Sequence, residues 1–212
     1  MAACERAVVR RWRQQAEGAS SSYGQRGAAW YWLDRELSSD VAGETGAVCI
    51  YKGAVAALRW RGHDEASSSA LAFCSEHEAA EAAHLAYYLR LVPEEMRTCL
   101  LPAWRAAGFG LGFVPTALAG EVGLFATVRS VETFVEKHYL EQIRTLEADA
   151  GFSADADGRE LIRLLKHCCA DEVHHRDDAA ARLGDADGAL VAAWGAVVEA
   201  GSAVAAEVAR RV

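Results

Sequence analysis

The chain has little proline, no C-x-x-C pair and no excess of basic residues. Three prolines in 212 residues leave long stretches free to form helices, because proline breaks a helix interior. A net charge of −8 argues against a nucleic-acid surface. Runs of alternating Val and Thr are also scarce, so the sequence predicts an all-α protein, and its length predicts one domain with a real hydrophobic core.

The cysteines do not have the spacing of a zinc site, and a reducing compartment is the simpler interpretation. They are Cys4, Cys49, Cys74, Cys99, Cys168 and Cys169. Cys168 and Cys169 could form a redox pair, but neighbours on a helix point about 100° apart. The sequence therefore favours a structural role as small apolar side chains.

Two Glu-x-x-His pairs and two lone glutamates carry the chemistry of this chain. The pairs are Glu81/His84 and Glu172/His175, and the lone glutamates are Glu44 and Glu132. Residues i and i+3 share a helix face, so each pair can direct two ligands at one point. Two such pairs and one Glu from each of two further helices form the ligand set of a carboxylate-bridged di-iron or di-manganese site in a four-helix bundle. Four buried carboxylates also require cations to offset their charge.

The arrangement repeats along the chain. Glu44 and Glu132 both begin the pattern Glu-Thr-x5-Tyr, which ends at Tyr51 and Tyr139. Each lone glutamate precedes its Glu-x-x-His pair by a similar distance, which indicates a duplicated helix pair. Two helical hairpins are therefore predicted to close around two metal ions.

Other residues near these positions offer alternative ligands. Asp171 and His174 have the same spacing one residue earlier, but the other half of the site uses Glu with His. Glu76, His77 and Glu78 lie near Glu81 but outside the pattern, and we interpret them as surface residues or neighbours of the ligands. His63 and His167 are interpreted as structural.

The segment Cys99–Gly120 has one charge, Arg105, and is rich in apolar residues. Its glycines and Pro115 are expected to break it into short helical pieces, too interrupted for a transmembrane span. It could lie at a membrane surface with Trp104 at the headgroup level, or form a buried core helix.

The first 26 residues differ in composition from the rest. They contain five arginines, only two acidic residues (Glu5 and Glu17) and three consecutive serines at residues 20–22. This composition is typical of a mitochondrial targeting segment, although a solvated arm or a basic lipid-binding helix has the same features. The predicted organisation is a basic arm at residues 1–26 and a di-iron domain at residues 27–212.

Several segments together resemble the demethoxyubiquinone hydroxylase family, the di-iron monooxygenases of ubiquinone biosynthesis. The most specific is His-Tyr-x-x-Gln-Ile-Arg-Thr-Leu at residues 138–146. Asp-Val-Ala-Gly-Glu-Thr-Gly-Ala at residues 40–47 is similar to the family's Asp-His-Ala-Gly-Glu-x-Gly-Ala, and the Glu-x-x-His motifs also match. The resemblance covers about residues 30–210.

The resemblance implies a ferritin-like four-helix bundle with two additional helices. It assigns iron ligation to Glu44, Glu81, His84, Glu132, Glu172 and His175. It places His138, Tyr139 and Arg144 near the metal and the substrate. The implied reaction uses two Fe ions, O2 and electrons from NADH to hydroxylate the quinol ring of demethoxyubiquinone. Such enzymes sit peripherally on the matrix side of the mitochondrial inner membrane, or on a bacterial inner membrane, and work with a lipid-binding partner protein.

One departure from the family pattern is Val41, where the family has His. Position 41 is not one of the six expected ligands, so the metal site should still form. The reaction rate or the redox potential of the site could differ from that of the family. The sequence is also compatible with two other functions. One is an iron- or peroxide-handling protein of the rubrerythrin or ferritin kind, although a rubredoxin-type C-x-x-C is absent. The other is a catalytically degenerate scaffold of the ubiquinone-synthesis complex.

Overall fold

The computed structural model describes residues 28–212, with side chains from Trp32 onward. The seven α-helices in this range are α1 Ala28–Trp60, α2 Ser69–Leu91, α3 Leu101–Ala119, α4 Glu121–Ala148, α5 Ala150–Ala154, α6 Ala156–Leu183 and α7 Ala189–Ala209. Short 3-10 turns lie at Glu94–Met96 and Gly184–Ala186, and residues 28–212 contain no strand. The predicted basic arm at residues 1–26 lies outside the described residues.

The four long helices α1, α2, α4 and α6 form a bundle, in which α1 packs on α2 and α4 packs on α6. Helix α3 packs along α1, while α7 packs on α4 and α1. The all-α, ferritin-like prediction of four ligand-bearing helices with two further helices is confirmed, and the short α5 is added to it.

Two apolar clusters fill the bundle, one toward each end. One contains Leu37, Tyr88, Leu146 and Leu165, and the other contains Leu58, Phe73, Phe125 and Leu183. Along every long helix, the predicted metal ligands fall between these two clusters. The packing at both ends therefore fixes four helices around a polar centre.

Helix ends follow the local sequence. The Ser68 hydroxyl caps α2 by accepting a hydrogen bond from the Leu71 amide at 3.2 Å. The Asp155 carboxylate caps α6 through the Gly158 amide at 3.1 Å. Both residues are favoured caps because their side-chain oxygens satisfy free amides of the first turn. The short helix α5 lies between α4 and α6, and Asp149 caps it in the same way.

Helix α3 is continuous from Leu101 to Ala119, so the prediction of short helical pieces is wrong. Its glycines allow a close approach to α1. A Cβ atom on Gly108 would lie 2.4 Å from the Gly46 carbonyl oxygen, and one on Gly112 would lie 1.8 Å from the Ile50 oxygen. The contact with α1 offsets the conformational cost of glycine in a helix. Only Gly108, Gly112 and Thr116 of α3 are buried, so α3 is not a core helix.

Three of the cysteines are core residues. Cys74, Cys168 and Cys169 are buried and free, Cys49 is half-buried, and Cys99 is exposed. Burial raises the pKa of the Cys168 and Cys169 thiols, which keeps both protonated and unreactive. These features favour the structural interpretation over a redox pair.

Candidate metal centre

The six expected ligands meet at the middle of the bundle. Glu44 extends from α1, Glu81 and His84 from α2, Glu132 from α4, and Glu172 and His175 from α6. Every one of them is at most 4% exposed. The structure thus brings together residues from four helices that are far apart in sequence.

These residues form two overlapping groups. The first contains Glu44, Glu81, His84 and Glu172, and the second contains Glu81, Glu132, Glu172 and His175. Within each group, one ligand atom per residue lies within 4.8 Å of the others. Glu81 and Glu172 belong to both groups, which is the arrangement expected of carboxylates that bridge two metal ions.

Both histidines direct Nδ1 toward the carboxylates. The Nδ1 atom of His84 lies 3.1 Å from Glu172 Oε1. The Nδ1 atom of His175 lies 2.9 Å from Glu81 Oε1 and 3.2 Å from Glu172 Oε2. Each histidine therefore faces a shared carboxylate, with its second nitrogen pointing away from the centre.

Several buried polar atoms at the centre make no well-aligned hydrogen bond. They are Glu44 Oε2, Glu81 Oε1, Glu172 Oε2 and His175 Nδ1. Buried polar atoms without partners are costly, and cations at this point would satisfy all four. Carboxylate oxygen with imidazole nitrogen suits iron or manganese, so the residues fit a di-metal centre.

The electrostatics of the site also favour a bound cation. Burial, followed by repulsion from neighbouring carboxylates, raises the pKa of Glu44 and Glu132 well above the ordinary value. Burial opposes charge on His84 and His175, but their contacts with the carboxylates outweigh it and raise their pKa values to about 9 and about 10. Without metal, these four residues bind protons more tightly than they would at their ordinary pKa values, and bound cations would displace those protons.

Asp171 supports His84 from outside the centre. Its Oδ2 atom lies 3.0 Å from His84 Nε2, so a carboxylate–histidine pair fixes the orientation of the ring. His174 is exposed. The structure therefore places Glu172 and His175 at the centre, and the alternative pair Asp171/His174 around it.

The other alternative histidines and glutamates occupy different positions. Glu76 is exposed, and Glu78 is half-buried at 4.0 Å from Lys52. His63 contacts Ser68, and His167 is largely exposed. His77 differs from all of these, because it is buried and its ring meets that of His175.

Tyr139 lies beside the centre. Its hydroxyl donates a hydrogen bond of 2.5 Å to Glu44 Oε1, and the side chain is 1% exposed. The Glu44 carboxylate is thereby held by Tyr139 on one oxygen, while its second oxygen faces the other ligands. The duplicated residue Tyr51 is equally buried, and its hydroxyl makes no hydrogen bond.

His138, the residue before Tyr139 on α4, belongs to a polar network. Its Nε2 atom lies 3.1 Å from Asp40 Oδ1, and the Gln142 amide lies 2.8 Å from the same oxygen. Arg210 Nη2 approaches His138 Nδ1 at 3.1 Å and Glu36 at 3.0 Å. No role for Asp40, Gln142, Glu36 or Arg210 was predicted from the residues alone. The spacing of four residues between Asp40 and Glu44 was the signal for Asp40.

Arg144 takes no part in this arrangement. Its side chain is exposed on α4 and does not line the cavity beside the metal centre. The structure therefore gives it no contact with the expected ligands, and its role near the substrate stays a prediction.

A cavity of about 530 Å³ reaches the centre from one side of the bundle. Its floor is formed by α1 and α4, and its walls by α3 and α7. Trp104, Phe134 and Trp194 line it together with many small residues, and Glu44, Glu81, Glu132 and Glu172 lie at its inner end. Asp40 and His138 add polar groups to an otherwise apolar wall. Such a cavity suits an apolar ligand with a polar head.

Comparison with known families gives the context of this site. A family model described as "Ubiquinone biosynthesis protein COQ7" matches residues 31–209. The chain belongs to the COQ7 family. The match includes all six expected ligands, the cavity and almost all of the described helices, and it agrees with the resemblance seen in the sequence.

Individual proteins similar to this chain carry hydroxylase names. "NADPH-dependent 3-demethoxyubiquinone 3-hydroxylase, mitochondrial" of Dictyostelium discoideum is 36% identical over 68% of this chain and 61% of its own length. "3-demethoxyubiquinol 3-hydroxylase" of Rhodospirillum rubrum is 34% identical over 74% of this chain and 66% of its own. The human protein, which has the same name as that of Dictyostelium, is 33% identical over 82% of this chain and 75% of its own length. The chain thus spans less than two thirds of the first two relatives.

Val41, where the resemblance led us to expect His, is fully buried. It packs in the apolar cluster that includes Leu37, Tyr88 and Cys168. The six expected ligands assemble with Val41 in place, so an imidazole at this position is not needed to bring them together.

Proposed function

We propose that this chain is a di-iron monooxygenase that hydroxylates the quinol ring of demethoxyubiquinone in ubiquinone biosynthesis. The observation that carries the proposal is the pair of overlapping Glu/His groups at the inner end of an apolar cavity. A metal centre open to an apolar cavity suits oxidation of a lipid-soluble substrate. The names of the relatives support the same substrate class.

Each of the six buried residues has a role in this proposal. Glu44 and His84 would hold one iron, Glu132 and His175 would hold the other, and Glu81 and Glu172 would bridge them. A di-iron centre bound here would pass electrons from an external reductant to O2. The protein contributes ligands whose positions are fixed by packing at both ends of the bundle.

Residues beside the centre would orient the substrate and hold protons. Tyr139 would keep Glu44 in place through its short hydrogen bond. Asp40 and His138 line the cavity, and the buried Oδ2 atom of Asp40 makes no hydrogen bond. A quinol hydroxyl could donate to that oxygen, which would direct the ring toward the four glutamates while the apolar walls exclude water.

The electrons are proposed to come from a nicotinamide nucleotide. The family resemblance implies NADH, while the names of the Dictyostelium and human relatives specify NADPH. Both nucleotides therefore belong in an assay of this chain.

We place the protein at a membrane surface, through the faces of α3 and α7 beside the cavity. Leu118 of α3 is 80% exposed, and Leu190, Val197 and Val204 of α7 are also exposed. The three α7 residues recur every seven positions and so form one stripe. By length and composition α7 could cross a membrane, as could Trp32–Trp60 of α1, but α1 is mostly buried whereas α7 is mostly exposed.

These faces suit a peripheral protein that collects a quinone from the bilayer. The proposed location is the matrix side of the mitochondrial inner membrane, or a bacterial inner membrane in a prokaryotic source. Residues 1–26 would then act as a targeting segment and residues 27–212 as the di-iron domain. A lipid-binding partner protein would assist in delivery of the substrate.

Replacing Leu118 and Val204 together with Ser should weaken binding to anionic lipid vesicles by about 10-fold or more, because burial of each large apolar side chain contributes about 1.5–3 kcal/mol. Metal content should not change, since both side chains lie outside the centre. Sedimentation with vesicles measures the effect, with Glu141→Ser on the exposed face of α4 as the control. Unchanged sedimentation of the double variant would exclude these faces as the membrane contact.

The proposed reaction is tested with iron-loaded protein, a short-tailed demethoxyquinol and isotopically labelled O2, with NADH or NADPH as reductant. We expect one labelled oxygen atom in the quinol ring, detected by mass spectrometry. Consumption of O2 or peroxide without ring hydroxylation would favour the rubrerythrin- or ferritin-like alternative. Failure to bind iron at all would favour the degenerate scaffold.

A further inference from the structure

His77 is a buried histidine that the proposed reaction does not use. It lies on α2, one turn before Glu81, and is 1% exposed. Its ring meets the His175 ring edge to face, with centroids 4.3 Å apart and an interplanar angle of 69°. Phe73 contacts it in a similar geometry at 4.3 Å. The ring is thus held between a core aromatic residue and an expected metal ligand.

Asp178 of α6 anchors His77 from the edge of the bundle. Its Oδ2 atom lies 3.1 Å from His77 Nε2, and its Oδ1 atom accepts a hydrogen bond of 2.9 Å from Arg182. Arg182 in turn lies over the rings of Phe73 and Phe125, at 5.0 and 5.7 Å from their centroids. His77 is therefore restrained both by ring packing and by a carboxylate that is itself held in place.

The two halves of the metal centre are supported differently. On one half, the carboxylate of Asp171 contacts the outward nitrogen of His84. On the other half, the ring of His77 packs against His175. An orienting contact matters in both cases because a metal ligand must keep one nitrogen aimed at the centre.

We infer that His77, anchored by Asp178, is a positioning residue for His175 and sets the metal affinity of the half of the centre formed by Glu132 and His175. The inference rests on the di-metal centre of the proposed function. The half formed by Glu44 and His84 is not affected, because Asp171 orients His84 independently. The two halves can therefore be weakened separately.

The test is a titration of metal-free protein with cobalt(II), whose visible absorption bands report the geometry of its ligands. The wild type should bind two ions. His77→Ala should weaken one binding step by about 10–100-fold, the usual cost of losing a partner behind a metal ligand, and should alter only the bands of that step. Asp171→Ala is the matched variant and should weaken the other step.

Two further comparisons separate positioning from a general loss of packing. In a His175→Ala background, His77→Ala should have no added effect on either step, because the two changes act on one ligand. Asp178→Asn keeps an oxygen that can accept from His77 and should retain two-ion binding, whereas Asp178→Ala should weaken the same step as His77→Ala. If circular dichroism shows that His77→Ala does not fold, the Asp178 pair carries the test.

The outcomes distinguish this inference from the proposed function. A wild-type protein that binds no cobalt would overturn the metal centre itself. A wild type that binds two ions, with the same affinities and spectra in His77→Ala and Asp178→Ala, would overturn only the role of His77. Equal weakening of both steps would also overturn it, because the effect would then be structural.

Discussion

Glu172→Ala is expected to remove both metal ions while the helical bundle remains folded. Glu172 belongs to both ligand groups, and it also contacts both His84 and His175. Loss of a partner behind a ligand costs 10–100-fold in affinity, so loss of a shared ligand should cost more than about 100-fold at each position. Ring hydroxylation should fall with the metal content.

Glu44→Ala and Glu141→Ala provide the comparison for that variant. Glu44 belongs to one ligand group only, so its loss should weaken one metal position and leave the other. Glu141 is exposed on α4, and its replacement should change neither metal content nor turnover. Elemental analysis and circular dichroism measure the result. A Glu172→Ala protein that keeps two tightly bound ions would contradict the assignment of Glu172 as the bridge.

The metal-free protein is expected to lose stability as the pH rises from about 5 to about 9. The pKa values of Glu44 and Glu132 are raised by burial and by neighbouring carboxylates, and those of His84 and His175 are raised to about 9 and about 10. A group with a raised pKa stabilises the fold below its unfolded pKa, and this contribution is lost as the pH rises through the folded pKa. All four groups therefore act in the same direction, and the raised pKa of each histidine corresponds to a contribution on the order of 3 kcal/mol.

Denaturant unfolding at several pH values measures this effect. The pKa of Glu172 is lowered by its contacts with both histidines, so its stabilising contribution is lost only in more acidic solution. Glu132→Gln removes one raised carboxyl group and should increase the free energy of unfolding of the metal-free protein at pH 8, by about 1–3 kcal/mol. The metal-loaded wild type should show a much flatter profile. If the free energy of unfolding of the metal-free protein rises between pH 5 and pH 9, the raised pKa values of these four groups are wrong.

The convergence of the six expected ligands could be predicted from sequence, because helical spacing determines which residues share a face. Glu81 and His84, like Glu172 and His175, are three residues apart, and this spacing aimed each pair at one point. The duplicated setting of Glu44 and Glu132 supplied the remaining two helices. The bundle followed from these pairs, since four ligand-bearing helices must converge for the six residues to meet.

The course of α3 could not be predicted in the same way. Glycine and proline lower local helix propensity, and local propensity predicted short pieces. The close contact of Gly108 and Gly112 with the α1 backbone decides the outcome, and it depends on a partner helix more than fifty residues away in sequence. The cavity between α3 and α7 follows from the same packing.

The contacts around the expected ligands could not be predicted from the sequence either. His77 is off the Glu-x-x-His pattern, and its partner Asp178 lies on another helix. Arg210 reaches His138 from the end of the chain. Arg144, by contrast, lies in the most specific matching segment and yet points away from the cavity. A motif shows that a residue is present, whereas packing determines which way its side chain points.

The most direct test of this account is a crystal structure of the iron-loaded protein with anomalous diffraction data collected at the iron absorption edge. We expect two iron peaks about 3.5–4 Å apart, both within ligand distance of Glu81 and Glu172, with His84 on one and His175 on the other. A single iron, or iron bound away from these residues in protein that is fully loaded, would contradict the di-iron centre on which the proposed reaction depends.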